Sequence, residues 1–191
     1  VKYLSSKNVV DREAMDTEVW NNMMLKLVEI SKDVNSSSTK VRIVDIGAGL
    51  LLILDMLMFG HKGKESLLTI MRHEGISFME YTAYESNKNL IPSCFTKLRD
   101  LGFQRVSSGN DDSADQLSGM YIFENTAEIS IRVTLKVKDF SHDVLGESER
   151  PHLIVGCCFA DLFDPDVLVS SILHFTGDVS YGGGTSNYSS K

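Results

Sequence analysis

The segment that most constrains this chain is Val41-Arg42-Ile43-Val44-Asp45-Ile46-Gly47-Ala48-Gly49, with the apolar stretch Leu50 to Phe59 directly behind it. A run dominated by valine and isoleucine predicts a short buried strand. Glycines at its end let the backbone turn sharply and pass close to a ligand. The helix predicted after them aims its free amides at the same place. A strand of this kind fits a layered α/β protein. The bland alternative is a tight strand-to-helix turn with no ligand, because a single Gly-x-Gly is a weak signal by itself.

The rest of the chain supplies alternating elements. Residues 13 to about 33 predict an amphipathic helix, with Val19, Met23, Leu27 and Ile30 on one stripe, widened by Trp20, Met24 and Val28. Asp16 or Thr17 is its expected cap. Asn35 to Thr39 reads as a loop. Leu50 to about His73 reads as helical, interrupted by Gly60-His61-Lys62-Gly63-Lys64, and Ile76 to Tyr84 as a strand ending at Glu85. Asn87 to Leu101 predicts a helix with Leu90, Phe95 and Leu98 on one face, Pro92 in its first turn and Gly102 at its end. Ser107 to Gly119, rich in Asp, Ser and Gly, reads as a mobile loop.

Two strand-like runs follow. Tyr121 and Phe123 alternate with polar neighbours. Ile129, Ile131, Val133, Leu135 and Val137 alternate strictly with polar residues, which predicts a strand with one wet face. A hairpin across Asn125 to Ala127 would join the two. His152 to Phe159 is nearly all apolar and reads as a central parallel strand. Asp164-Pro165-Asp166 opens a helix carrying Val167, Leu168, Ser171, Ile172 and Phe175. This order predicts an α/β sandwich with a mainly parallel sheet. It divides the chain into an N-terminal helical segment, 1–40, a cofactor-binding domain, 41–176, and a Gly/Ser-rich tail, 177–191.

Composition narrows the function. The 191 residues, 42% hydrophobic and 24% charged, suit one globular domain. A net charge of −7 disfavours nucleic acid and anionic membrane surfaces as partners. Cys94, Cys157 and Cys158 lack Cys-x-x-Cys spacing and read as reduced, mostly buried thiols in a cytoplasmic setting. No signal-peptide pattern is present, and the run from Leu50 to Phe59, broken by Asp55, falls short of the roughly 20 residues that span a bilayer. The chain opens on Val1 rather than Met, as a fragment or trimmed chain would. The histidines, His61, His73, His142, His152 and His174, lack ligand spacing, so no metal site is expected.

An ordered set of residues closes the predicted strands. Asp45 and Gly47-Ala48-Gly49 end the first, Glu85 the second, Asp139-Phe140 the alternating one and Phe159-Ala160-Asp161 the apolar one. In open α/β sheets ligands bind at such carboxyl ends. Together these segments resemble the class I S-adenosylmethionine-dependent methyltransferases over about residues 41 to 175. Val44 to Gly49 resembles their first motif, Tyr84-Glu85-Ser86-Asn87 their second, and Leu153 to Pro165 the fourth-strand motif of a subset.

The resemblance implies a Rossmann-like three-layer sandwich and S-adenosylmethionine as cofactor. Gly47, Ala48 and Gly49 would pass beside its methionine part. Asp45 would organise that loop and help hold the amino group. Glu85 would accept from both ribose hydroxyls, Asp139 would sit near the adenine amino group with Phe140 against the ring, and Phe159 to Asp161 would border the methyl-transfer site. The implied activity is methyl transfer to a small-molecule acceptor. His142 and Asp161 are the candidate bases, set against readings as a surface-loop histidine and a helix-capping acid.

Three departures stand beside this. Leu51 occupies the third glycine of a fuller Gly-x-Gly-x-Gly. Glu85 follows Asp45 by 40 residues, about twice a dinucleotide fingerprint. The C-terminal strands of the complete methyltransferase sheet have no counterpart after Phe175. The rival readings are a non-catalytic binding or scaffold domain of the same fold and an NAD-dependent oxidoreductase.

Overall fold

Parallel pairing around the first strand organises the molecule. A computed structural model describes residues 2–33, 40–106, 119–124, 129–140, 150–156 and 164–176. In chain order these form α1 (Lys2–Ala14), α2 (Thr17–Asp33), β1 (Lys40–Ile46), α3 (Leu52–Phe59), α4 (Leu67–Glu74) and β2 (Phe78–Tyr84). A 3-10 turn at Lys88–Leu90 then leads into α5 (Ile91–Asp100), β3 (Gln104–Val106), β4 (Gly119–Glu124), β5 (Ser130–Lys136), β6 (Leu153–Val155) and α6 (Pro165–Thr176). The six strands make one mixed sheet in the order β3-β4-β5-β2-β1-β6. β1 pairs parallel with β2 and β6, and β2 parallel with β5. β3, β4 and β5 are joined antiparallel.

Side-chain alternation gives the sheet two unequal faces. One carries Val41, Ile43, Met79, Tyr81, Ile131, Val133 and Leu135, all buried against α2 to α5 in the main core. Met56, Met58, Met71 and Met79 are buried there as packing residues. On the opposite face Val44, Ile46 and Tyr84 form a smaller cluster with Phe140 and with Phe175 of α6. The Phe175 ring is nearly perpendicular to both the Tyr84 and Phe140 rings, with centroids 5.4 and 5.7 Å away. Away from α6 the second face is half-exposed, as the strict alternation of β5 predicted: Ser130, Arg132, Thr134 and Lys136 are all partly accessible. The protein is thus a layered α/β fold whose second helical layer, among the described residues, is α6.

Local chemistry fixes the boundaries. Asp16 accepts from the amides of Glu18 and Val19 and so caps α2. Asp164 does the same for α6, ahead of Pro165. Gly60 ends α3 at φ 83°, where an added Cβ would lie 2.2 Å from the Lys64 carbonyl oxygen, so only glycine fits. Asp55, the charge inside the apolar run, pairs with Arg12 of α1 and with Lys97 of α5, the latter at 2.6 Å.

Several expectations need correction. The first helix does not start at residue 13: α1 and α2 are separate, and the chain turns at Asp16. Val19 is 59% exposed, because the buried stripe of α2 runs through Trp20, Met24 and Leu27. The apolar run after His152 does pair parallel with β1, but among the described residues it is not a central strand. β6 lies at the sheet edge beside β1, partly exposed, because no described strand pairs with its other side. β3 was not anticipated, since its residues are all exposed and carry no apolar period. Loop and turn expectations at 107–118, 125–127 and 35–39, the end of the apolar run at 157–159 and the tail at 177–191 lie outside the described residues.

Candidate functional site

The strand order reverses at β1: the chain leaves β1 for β2 on one side and later returns to add β6 on the other. This is the switch point at which open α/β sheets form a crevice beyond the strand ends. β1 delivers Gly47-Ala48-Gly49 there. Gly47 and Gly49 have φ of 65° and 54°, in the left-handed region. The Ala48 amide donates to the Tyr84 carbonyl at 2.9 Å, tying the loop to the end of β2.

Leu51 stands where the third glycine was expected, and it keeps the conformation that glycine would allow. Its φ is 58° and it is fully buried, so core packing holds a left-handed leucine at the start of α3. That geometry disfavours an L-residue by about 1–2 kcal/mol.

Two acids meet at this loop. Glu85, 7% exposed, accepts from the Gly49 amide at 2.8 Å through Oε2 and from the Asn87 amide at 2.7 Å through Oε1. It braces the glycine loop against the end of β2. Each oxygen keeps a further lone pair for a ligand, since a carboxylate offers about four acceptor positions. Asp45 is 1% exposed and lies on the main-core face of β1. Its Oδ2 accepts from the Tyr81 hydroxyl at 2.5 Å, whereas Oδ1 has no partner. Among the described residues it is the sole buried carboxylate oxygen in that condition. The Asp45 carboxyl is pushed up to about 7, by burial above all, against the pull of the Tyr81 bond and with the charge of Glu85 adding to the rise.

The Cys94 thiol of α5 donates to the Gly49 carbonyl at 3.1 Å. Burial first, and then the charges of Glu85 and Asp45, push that thiol up to about 12, so it is an inert packing group.

The other expected residues distribute unevenly. Asp139 is half-buried just beyond β5. Phe140 is 3% exposed and packs in the smaller core against Phe175, so its ring is covered by protein. His142, Phe159 and Asp161 lie outside the described residues. Gly156, at the end of β6, passes so close to Ile46 that an added Cβ would lie 3.1 Å from its Cγ1. Tyr81 went unremarked in the sequence, although a signal existed. Its register partner is Ile43, two residues before Asp45, so both side chains share one face, and a buried phenol needs a hydrogen-bond partner.

A cleft of about 570 Å³ lies elsewhere, between α2 and the α4 region, with Trp20, Met24, Val28 and Ile70 in its lining. It shares no residue with the strand-end cluster. Its charged residues Lys64, Glu65, His73 and Glu74 are exposed, so none is desolvated for chemistry. The polar groups that converge in a buried setting are those at the strand ends.

Comparison of the chain with protein-family models, with curated proteins and with solved structures gives no match in any of the three. Among the described residues, no helix is long and apolar enough to cross a membrane.

Proposed function

We propose that this is a Rossmann-like domain that binds S-adenosylmethionine beyond the ends of β1 and β2 and transfers its methyl group to a small-molecule acceptor. The observation that carries the reading is the unpartnered Oδ1 of buried Asp45, directly beside a glycine loop. A buried carboxylate oxygen without a partner is expensive, and a ligand ammonium group would satisfy it. The methionine part of the cofactor brings such a group. Glu85 retains acceptor capacity for ribose hydroxyls, and an acid there would repel the 2′-phosphate of other nucleotides.

The cofactor supplies an electrophilic methyl group on a sulfonium. This chain's task is to bind, orient and exclude water, because in-line displacement gains most from positioning. The glycine loop, braced by Glu85 and tied to Tyr84, is the rigid part of that arrangement. No base is assigned, because His142 and Asp161 lie outside the described residues. The net charge of −7 favours a small acceptor over nucleic acid.

One observation favours a second reading, a binding or scaffold domain without turnover. Phe140 is engaged by Phe175 and does not offer its ring at an open site. Calorimetric titration with S-adenosylhomocysteine and with NAD separates the possibilities. Micromolar binding of the first and none of the second supports the proposal. Binding without turnover across an acceptor panel supports the scaffold, and binding of NAD alone refutes both. Glu85→Ala is expected to weaken S-adenosylhomocysteine binding by about 1.5–3 kcal/mol, the scale of hydrogen bonds to a charged group. Unchanged affinity in that variant removes Glu85 from the site.

A further inference from the structure

We propose that Tyr81 is a positioning residue that sets the charge state of Asp45, so that filling of the strand-end site is coupled to release of one proton. This deepens the reading above and rests on a ligand that presents a cationic amine to Asp45 Oδ1.

The groups around Asp45 dictate the coupling. From β2 come the Tyr81 hydroxyl, at 2.5 Å from Oδ2, and Glu85 just past the strand end. From α5 comes the neutral Cys94 thiol. The acid of α3, Asp55, is compensated locally by Arg12 and Lys97. Two carboxyl groups therefore share the site with no cation acting on Asp45 among the described residues. Glu85 has two backbone amides stabilising its charge, whereas Asp45 has one phenol and an unpartnered oxygen. In the empty site Asp45 accordingly holds a proton through the mildly acidic range, well above where an ordinary carboxyl releases it.

A ligand ammonium at Oδ1 reverses that balance. It donates to the carboxylate, the Asp45 proton leaves to buffer, and the amine keeps its own proton. No covalent bond forms or breaks in the ligand. Tyr81 matters because its hydroxyl is the bond that stabilises the ionised form. Tyr81→Phe removes one oxygen from a packed position and leaves the ring in place, so the fold is retained while ionisation becomes harder.

Calorimetry tests this with two probes, S-adenosylhomocysteine, which carries the amine, and methylthioadenosine, which lacks the amino-acid part. Measured from about pH 6 to about pH 8 in buffers of different ionisation enthalpy, wild-type affinity for the first should rise by up to about tenfold per pH unit and then level off. The buffer dependence should report close to one proton released at the acid end. Methylthioadenosine should give a flat profile. Tyr81→Phe should move the levelling point to higher pH, a change that loss of packing alone would not produce.

If S-adenosylhomocysteine binds with a flat, buffer-independent profile, proton coupling is wrong while the cofactor reading stands. If Tyr81→Phe keeps the wild-type profile, Tyr81 does not set the charge of Asp45. If neither probe binds, the cofactor reading fails and this proposal fails with it.

Discussion

Asp45→Asn offers the sharpest test of the strand-end geometry, because its effect on stability should change sign with pH and needs no ligand. Asp45 is fully buried, and its carboxyl is pushed from an ordinary 3.8 up to about 7, by burial above all. The folded protein therefore holds a proton over a range in which the unfolded chain has released it. Stability from this group is fully present below about pH 4, declines as the pH rises toward 7 and is lost above that. At 1.36 kcal/mol per pH unit the whole change is on the order of 4 kcal/mol.

Asparagine is nearly isosteric, keeps an oxygen for the Tyr81 hydroxyl and does not titrate. Its amide nitrogen would occupy the position of Oδ1, which has no partner, and that costs about 1–3 kcal/mol at any pH. Wild type should thus be the more stable protein near pH 4. The variant should be the more stable by about 1–3 kcal/mol near pH 8, the difference left between the two effects. Urea unfolding of both proteins across this range gives the difference curve, in which every other titrating group cancels. A flat difference curve would show that Asp45 ionises like an ordinary carboxylate and would remove the physical basis for a neutral acid at the site.

Two further outcomes follow from packing. Leu51→Ala should destabilise by about 2–5 kcal/mol through loss of a buried side chain. Leu51→Gly, which loses still more surface but relieves the left-handed φ, should be the more stable of the two in urea; the reverse order would mean that this φ stores no strain. Phe175→Ala should cost about 3–5 kcal/mol, because that ring joins α6 to Tyr84 and Phe140. Leu173→Ala, at an exposed position of the same helix, should stay within about 0.5 kcal/mol in the same measurement.

What was legible in the sequence was whatever buries a periodic pattern. β1 and the alternating β5 could be read because valine, isoleucine and leucine mark a buried face at each, and α5 because its proline and glycine mark its ends. β3 escaped because Gln104, Arg105 and Val106 are all exposed and a three-residue strand has no period to detect. β6 pairs parallel as its apolar run suggested, yet it is the last strand of the sheet among the described residues, for a different reason. An apolar run says that side chains resist water, but not whether another strand will pair with its far edge. The glycine loop and Glu85 were legible as chemistry at strand ends, yet the direction of the Glu85 side chain was not, since the Gly49 and Asn87 amides that hold it belong to two separate loops. Phe140 illustrates the same limit. Its position after β5 was clear, and its burial depended on where α6 lies. Tyr81 needed the parallel register of β1 and β2, which pairs it with Ile43 and brings its hydroxyl to Asp45.

Three costly features converge on one short loop. A buried carboxyl has one oxygen satisfied and one not. A leucine is held in a conformation that glycine would adopt freely. A second carboxylate is spent bracing a backbone amide of the same loop. Other parts of the described chain keep their local rules: Asp16 and Asp164 cap α2 and α6, and the charge inside the apolar run of α3 is paired. A sequence selected for stability alone would have replaced Asp45 with an apolar residue, because a buried ionisable group is often exchanged for a packed one at no loss. Three conflicts of different kinds on one short loop at the switch point are what a binding site imposes on a fold. By that reasoning Asp45→Asn should raise stability at alkaline pH and lower affinity for S-adenosylhomocysteine in the same protein, and a variant that gained stability with no loss of binding would assign the conflict to packing rather than to function.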